Sequence, residues 1–178
     1  MRLLLHICCG PCAIYPVKEL ISNKFEEVVG YYYNPNIHPP SEYKKRRDAL
    51  RNAEKDINIK IIYPRYRMEE YFRAIALHED SPERCRLCWE LRLRETACFA
   101  VKNGFNAFTT TLLISPYQDH EIIKGLCGSI AKEHGLEFCY MDFRKGFRIS
   151  QEDAKRADMY RQKYCGCVFS ELERVEIK

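Results

Sequence analysis

The chain opens with a short apolar stretch, Leu3-Leu4-Leu5-His6-Ile7, that leads directly into the loop Cys8-Cys9-Gly10-Pro11-Cys12. An apolar run of this length, ended by a Gly-Pro turn signal, predicts a buried strand followed by a loop. Apolar residues then recur at helical spacing from Ile14 to Ile21. We therefore predict a strand, a cysteine-rich loop and a helix at the start of the chain.

The rest of the chain repeats this alternation of strands and helices. Helices with one apolar face are predicted between the strands, and Ser150 with Asp153 has the capping-box spacing of a last helix. β-branched and aromatic residues predict further strands at 27–33, 60–63, 107–113 and 137–143. Such alternation favours a single α/β domain over residues 1–178, with a mostly parallel sheet and helices on both faces.

Loops at one edge of this predicted sheet are expected to form the functional site. Ligands of parallel α/β sheets bind at the carboxyl ends of the strands. The loops that fall there are Cys8–Cys12, Asn34-Pro35-Asn36, Ser115-Pro116-Tyr117 and Asp142–Arg144. The segment from about 160 to 178 shows no clear pattern and contains two cysteines, and we expect it to close over that site.

The composition restricts the class of protein but does not name a function. With 46% hydrophobic and 30% charged residues, the 178-residue chain is neither disordered nor fibrous. A net charge of +4 permits an anionic partner such as nucleic acid without requiring one. The first apolar run is too short for a signal peptide or a membrane span, so a cytoplasmic protein without a membrane partner is the default expectation.

Cysteine is the residue type that carries the functional argument. Six of the ten cysteines form three close pairs, Cys8-Cys9, Cys85-x-x-Cys88 and Cys165-x-Cys167. Clustered thiols in a reducing compartment favour metal binding or redox chemistry. Two pairs supply the four sulfurs of a zinc site or an iron–sulfur cluster. The third pair then suggests a reactive element beside that metal centre.

The other four cysteines have simpler interpretations. Cys98, Cys127 and Cys139 lie within helix or strand patterns, and we predict that all three are core residues, since a free cysteine often packs as a small hydrophobe. Cys12 is either a metal ligand or a residue that lines the site. A single CxxC can also be two half-buried thiols without function, but three close pairs argue against that interpretation.

Two other functions compete with a metal-dependent enzyme. Cys9-Gly10-Pro11-Cys12 matches the CxxC of a thioredoxin-like dithiol oxidoreductase, although that chemistry leaves the other two pairs unexplained. A zinc-stabilised nucleic-acid-binding module explains Cys85-x-x-Cys88. It does not explain the adjacent Cys8-Cys9 or Cys165-x-Cys167, because neither has a usual zinc spacing.

Five motifs resemble a known family over nearly the whole chain, from Leu3 to about Ser170. They are LLLHICCGPC (3–12), YYYNPNIHP (31–39), ERCRLCWELRL (83–93), FTTTLLISPYQ (108–118) and YRQKYCGCVFS (160–170). These motifs look like those of the cobalamin-independent epoxyqueuosine reductases, the QueH family. The resemblance implies a fold related to the adenine-nucleotide α-hydrolase-like (HUP) domains. It also implies the reductive removal of the epoxide oxygen of epoxyqueuosine at the anticodon wobble position of tRNA.

The resemblance also implies the cofactors and their ligands. The expected cofactors are a [4Fe-4S] cluster and one additional iron, with no cobalamin, and an external donor would supply the electrons. Carried over by motif, the cluster ligands are Cys8, Cys9, Cys85 and Cys88. Cys165 and Cys167 are then either a redox-active pair or ligands of the second iron.

Other side chains are candidates for iron and for tRNA. Asp142 is either an oxygen ligand to iron or a loop acid paired with Arg144, and His6 is expected to be a core residue. Two basic concentrations could contact phosphates, which dominate nucleic-acid affinity, although the first could equally be a solvated helix face. The candidate residues are Lys44, Lys45, Arg46, Arg47, Arg144, Arg148, Lys155, Arg156, Arg161 and Lys163.

Overall fold

The computed structural model describes residues 1–23 and 25–176. A five-stranded, all-parallel sheet forms the centre of the described chain. Its strands are β1 Arg2–His6, β2 Glu27–Tyr31, β3 Lys60–Ile62, β4 Ala107–Thr110 and β5 Glu137–Phe138. Their spatial order is β3-β2-β1-β4-β5, so β1 lies at the centre. The predicted single α/β domain is confirmed, and its sheet is parallel throughout.

Helices form two packed groups around the sheet. Their bounds are α1 Gly10–Ser22, α2 Pro40–Asn52, α3 Glu54–Ile57, α4 Met68–Ile75, α5 Glu83–Lys102, α6 His120–His134, α7 Phe147–Arg156 and α8 Val168–Glu176. α1 packs against α2, α3 and α7, while α5 packs against α4 and α6. Right-handed crossovers in this strand order put the two groups on opposite faces of the sheet, as predicted.

The opening apolar run is buried because β1 has neighbours on both edges and helices on both faces. Leu3, Leu4 and Leu5 are all 0% exposed. A strand buried on both faces is typically a continuous apolar run rather than an alternating one. Each buried leucine contributes roughly 1.5–3 kcal/mol of hydrophobic stabilisation.

His6 is a core histidine, as predicted. Its Nδ1 lies 2.8 Å from Thr110 Oγ1 and its Nε2 lies 3.2 Å from the Tyr33 carbonyl oxygen. Burial, together with the nearby charge of Arg92, lowers the pKa of His6 to about 3. The ring is therefore neutral at physiological pH and links the ends of three strands.

Several predicted boundaries differ from the structure, and β2 and β3 end two residues and one residue earlier than predicted. The strand predicted at 107–113 ends at Thr110, because the Thr110 hydroxyl accepts a hydrogen bond from Leu112 N and starts a 3-10 turn over Thr111–Ile114. The strand predicted at 137–143 ends at Phe138. Ser150 does not cap a helix: it lies inside α7, and its hydroxyl accepts a hydrogen bond from Tyr15 N. In addition, α8 was not predicted at all.

The strand order places a binding crevice next to the cysteine loop. The chain moves from β1 outward through β2 to β3, and then returns across the sheet to β4 on the other side of β1. In open α/β sheets, ligands bind outside the carboxyl ends of the strands where the strand order reverses. Here that position lies between the ends of β1 and β4.

Candidate metal centre

The first cysteine loop lies at this reversal point. Cys8 follows β1, and its backbone N donates to Thr111 Oγ1 at 3.0 Å, while the same hydroxyl donates to Cys8 Sγ at 3.2 Å. α1 begins two residues later, so Cys12 lies in its first turn. The Sγ atoms of Cys8, Cys9 and Cys12 all lie within 4.8 Å of one another. The loop and helix start therefore bring three thiols together, and Cys12 belongs to this group.

The three thiols differ strongly in pKa. Hydrogen bonds from Cys12 and Cys9 hold the pKa of Cys8 well below its usual value, and Arg92 and Thr111 act in the same direction. Burial raises the pKa of Cys9 to about 12. Hydrogen bonds to Cys8 and Cys9 raise the pKa of Cys12. Cys8 is consequently the first of the three to ionise and to become available as a metal ligand.

The second pair lies in the first two turns of α5. Cys85 and Cys88 are three residues apart and face the same cavity, with Cys88 buried and Cys85 half-buried. Ser81 Oγ lies 3.8 Å from Cys85 Sγ. Burial raises the pKa of Cys88 to about 11, although the charge of Arg92 opposes this rise. The amino end of a long helix favours thiolates through its unpaired amides and dipole.

The third pair lies immediately before α8. The Sγ atoms of Cys165 and Cys167 are 3.7 Å apart, and Ser170 N donates to Cys167 Sγ at 3.3 Å. Cys165 is exposed and Cys167 is buried. A hydrogen bond from Cys167 lowers the pKa of Cys165 to about 5. The same bond and burial raise the pKa of Cys167.

Each of the three pairs contributes to one cavity of about 480 Å³, but the first pair does so through Cys8 alone, because Cys9 does not line the cavity. The loops after β2 and β4 also reach it, through Asn36, Ser115 and Tyr117, as the strand-end argument predicted. The loop after β5 does not line it. Asp142 is ion-paired with Arg144, with Arg144 Nη2 2.6 Å from Asp142 Oδ2, and this partner lowers the pKa of Asp142 to about 2. Asp142 therefore forms an ion pair within its own loop and does not line the cavity.

The segment before and within α8 forms one wall of the cavity. Seven of its residues line the cavity, from Gln162 to Glu173. Gln162 Nε2 donates to Cys9 Sγ at 2.9 Å, and His38 N donates to the Gly166 carbonyl at 2.7 Å. Arg84 Nη2 lies 2.7 Å from Glu173 Oε1. These two hydrogen bonds and this ion pair keep the third cysteine pair next to the other two cysteine pairs.

Arg46 has a different position from the one expected of a phosphate contact. It is 2% exposed, and its Nε donates to Glu42 Oε1 at 2.7 Å. Its Nη1 and Nη2 donate to the carbonyls of Cys165 and Tyr164 at 3.0 and 3.2 Å. The guanidinium therefore fastens the cysteine tail to α2. Helical spacing could have predicted the burial of Arg46, because Glu42, Arg46 and Leu50 are four residues apart and share the inner face of α2. The basic residues next to Arg46 in the sequence obscured this pattern.

Replacing Arg46 with alanine should destabilise the protein strongly. Removing one partner of a buried ion pair leaves the other charge uncompensated and costs about 3–5 kcal/mol. Arg47→Ala is the matched control, because Arg47 is half-buried beside Asp48 and should cost less than about 1 kcal/mol. Urea unfolding of the two variants measures the difference. If Arg46→Ala and Arg47→Ala have the same free energy of unfolding, Arg46 does not anchor the tail.

Gly166 allows the third pair to turn toward the cavity. Its φ is +135°, and a Cβ at this position would lie 3.0 Å from Ile37 Cγ1 and 3.2 Å from Arg46 Nη1. A side chain here would be strained by the backbone conformation and crowded by these neighbours. The glycine of Cys165-Gly166-Cys167 is thus required by the local geometry.

Gly166→Ala should displace the cysteine pair. We expect a loss of about 1–3 kcal/mol in the free energy of unfolding, from the strained backbone. Gly125→Ala is the control: nothing lies within 4 Å of its Cβ position in α6, and we expect it to gain roughly 0.5–1 kcal/mol. Urea unfolding compares the two variants. A Gly166→Ala protein as stable as wild type would contradict the steric account.

Two further buried arginines on α5 were missed by sequence reasoning. Arg84 and Arg92 are each 4% exposed, and both line the cavity. Arg92 Nη2 donates to Asn34 Oδ1 at 2.7 Å. The signal was helical spacing, because Arg84, Cys88 and Arg92 follow one another at intervals of four and therefore share a face.

The remaining basic candidates lie on the surface. Lys44 pairs with Asp48, and Arg156 with Asp153. Lys45 and Lys163, which come from the two separate basic runs, line one groove together with Tyr160 and Tyr164. The residues of these runs that are exposed in the structure are Lys44, Lys45, Arg144, Arg148, Lys155, Arg156, Arg161 and Lys163.

The other cysteines lie away from the cavity. Cys127 is fully buried in the core, as predicted. Cys98 and Cys139 are only half-buried: Cys139 packs on the edge of the core, and Cys98 Sγ lies 3.4 Å from His134 Nε2 between α5 and α6. None of the helices in the described part of the chain combines the length and apolar content needed to span a membrane.

Comparison with known proteins identifies the family. The family model described as epoxyqueuosine reductase QueH matches residues 3–173, which include all three cysteine pairs. The chain belongs to the QueH family. A relative from Dehalococcoides mccartyi, named epoxyqueuosine reductase QueH, is 41% identical over 97% of this chain and 94% of its own length. A relative of the same name from Thermotoga maritima is 36% identical, covering 97% and 92% of the two chains. As a member of this family of reductases, the chain is an oxidoreductase.

Solved structures of lower sequence identity share the fold. A protein described as a predicted subunit of tRNA methyltransferase from Methanocaldococcus jannaschii has a TM-score of 0.55 at 11% identity, covering 87% of the QueH chain and 74% of its own. A deacetylase from the teicoplanin biosynthesis pathway has a TM-score of 0.51 at 13% identity, covering 78% and 65%. At these identities the likeness shows a shared α/β fold and nothing about function.

Proposed function

We propose that this QueH chain reduces epoxyqueuosine in tRNA to queuosine with a [4Fe-4S] cluster and one additional iron, and without cobalamin. One observation carries the proposal: six cysteines from three segments distant in sequence line a single cavity at the reversal point of the sheet, namely Cys8, Cys12, Cys85, Cys88, Cys165 and Cys167. Such a protein would act in the cytoplasm, where its tRNA substrate occurs, and would take electrons from an external donor.

The donor set fits such a centre. Thiolates are the protein ligands of iron–sulfur clusters, and this cavity contains more sulfur atoms than one four-ligand cluster requires. Cys8, Cys9, Cys85 and Cys88 would hold the cluster, with Cys12 as a further thiol beside them. When bound, the cluster supplies single electrons, and the additional iron supplies a Lewis acid for the epoxide oxygen.

The residues of the third pair would complete the reaction. Conversion of the epoxide to an alkene takes up two electrons and two protons and releases water. Oxidation of the Cys165–Cys167 dithiol to a disulfide releases two electrons and two protons, so this pair alone balances the reaction. The alternative role of the pair is to bind the second iron through its thiolates. Both roles require the two sulfurs to face the cavity, and the bonds from Arg46 hold them there.

The tRNA would approach along the groove beside the cavity. Lys163 and Tyr164 line both the groove and the cysteine cavity, while Lys45 and Tyr160 line the groove alone. Cations along such a path would contact phosphates, and aromatic rings stack on bases that are turned out of the anticodon loop. The remaining exposed basic residues of the two runs are further candidates for phosphate contacts.

The buried state of Cys9 and Cys12 argues against a thioredoxin-like function. Cys9 is 1% exposed and Cys12 is 7% exposed, and burial raises the pKa of Cys9 to about 12. Dithiol–disulfide exchange requires an accessible thiol with a lowered pKa. Cys9 and Cys12 lack both properties.

A turnover assay tests the proposed activity. The protein, purified without oxygen, is incubated with tRNA containing epoxyqueuosine and a low-potential reductant such as dithionite. We expect the epoxyqueuosine nucleoside to disappear and queuosine to appear in equal amount on nucleoside analysis by mass spectrometry. A fully metal-loaded protein that leaves epoxyqueuosine unchanged would overturn the proposal.

A further inference from the structure

Three buried arginines line the cysteine cavity, and one of them lacks a carboxylate partner. Arg46 pairs with Glu42 and Arg84 pairs with Glu173, each at 2.7 Å. Arg92 forms no ion pair within residues 1–23 and 25–176, although it is 4% exposed. One of its terminal nitrogens donates to Asn34, and its Nε forms no hydrogen bond with the described residues.

A buried guanidinium without a partner requires an anion nearby. Arginine remains protonated, so it cannot escape the cost of burial by losing its charge. The thiols of Cys8 and Cys88 line the same cavity as Arg92, and a metal centre held by their thiolates would supply that anion.

Arg92 is held rigidly relative to the cysteine loop. Asn34 accepts the arginine bond through Oδ1 and donates through Nδ2 to the Ile7 carbonyl at 2.9 Å. Ile7 immediately precedes Cys8. The cation on α5 is thus fixed to the end of β1 through one amide side chain, so it does not need to move to face the metal centre.

We propose that Arg92 is the fixed counter-charge of the metal centre in this cavity and that it raises the centre's reduction potential. This inference rests on the proposed iron–sulfur cluster. Uptake of one electron adds one negative charge to the centre. A fixed positive charge therefore stabilises the reduced form more than the oxidised form, and the effect is large in a buried site of low dielectric constant.

Redox titration of the cluster-loaded protein tests this role. Arg92→Met removes the charge and keeps a similar volume, and we expect the midpoint potential to become more negative, with Arg92→Lys restoring part of the shift. Arg94→Met is the matched control on the same helix, because Arg94 is partly exposed, pairs with Glu90 and Glu133, and does not line the cavity. The midpoint potential of the Arg94→Met protein should equal that of wild type.

Cluster assembly provides a second readout if Arg92→Met does not load. Iron and sulfide are then compared in Arg92→Lys and Arg92→Gln after anaerobic reconstitution. Assembly with lysine but not with glutamine supports the counter-charge, and equal assembly in both variants, or in neither, overturns it. An unshifted potential in a fully loaded Arg92→Met protein also overturns it. That outcome leaves the proposed function intact, whereas a wild-type protein without iron and sulfide would refute the proposed function as well.

Discussion

Cys167→Ser should abolish turnover of epoxyqueuosine tRNA while the protein keeps the iron and sulfide of its cluster. Serine can neither form a disulfide with Cys165 nor serve as a soft thiolate ligand, so both roles of the pair are lost. Removal of an essential catalytic group lowers the rate by about 1000-fold or more. Neither residue of the third pair belongs to the proposed cluster ligands, so the absorption of the cluster should persist. Nucleoside analysis and metal content, measured on the same sample, give both answers.

Cys98→Ser is the control for this prediction. Cys98 is half-buried between α5 and α6 and does not line the cysteine cavity. Its replacement should leave turnover and metal content close to those of wild type. If Cys167→Ser retains wild-type turnover, both roles proposed for the pair are wrong. If it loses the cluster instead, Cys167 is a cluster ligand and the proposed ligand set must change.

Cys88→Ser should remove the cluster itself. Cys88 is buried in the second turn of α5, and its thiol faces the cavity shared with Cys8. A cluster deprived of one of its four thiolates loses affinity and electronic tuning, so iron and acid-labile sulfide should fall together and turnover should disappear. Iron and sulfide assays after identical anaerobic reconstitution measure the loss.

Cys127→Ser provides the matched control for Cys88→Ser. Cys127 is a buried cysteine that packs in the core away from the cavity. Its replacement should cost stability, because a hydroxyl enters an apolar site, but the reconstituted protein should hold as much iron and sulfide as wild type. Full iron and sulfide in Cys88→Ser would show that Cys88 is not a ligand.

The central part of the fold could be predicted from local sequence pattern. The apolar run Leu3–Leu5 and the segments rich in β-branched and aromatic residues identified all five strands, because buried strands carry a strong compositional signal. The rule that loops at strand ends converge also predicted that Cys8, Asn36 and Tyr117 would meet, and all three line one cavity. It failed for Asp142, whose carboxylate pairs with Arg144 of the same loop and does not line the cavity.

The parts of the site that the sequence did not reveal depend on tertiary contacts. Arg46 looked like one of four basic surface residues, but a distant tail segment covers it. Arg92 gave no local signal of function, because its role depends on Asn34 and on thiols from another part of the chain. α8 was missed although Val168, Leu172 and Val175 recur at helical spacing, and contacts such as Arg84–Glu173 fix its position.

The most direct test of the metal centre is the content of iron, zinc and acid-labile sulfide in protein purified without oxygen, with an absorption spectrum of the same sample. We expect about four sulfides and four or five irons per chain, with a broad absorption band at about 400 nm. Zinc without sulfide, persisting after anaerobic reconstitution with iron and sulfide, would contradict it and favour a structural zinc site. A protein that binds no metal after such reconstitution would contradict the metal centre altogether.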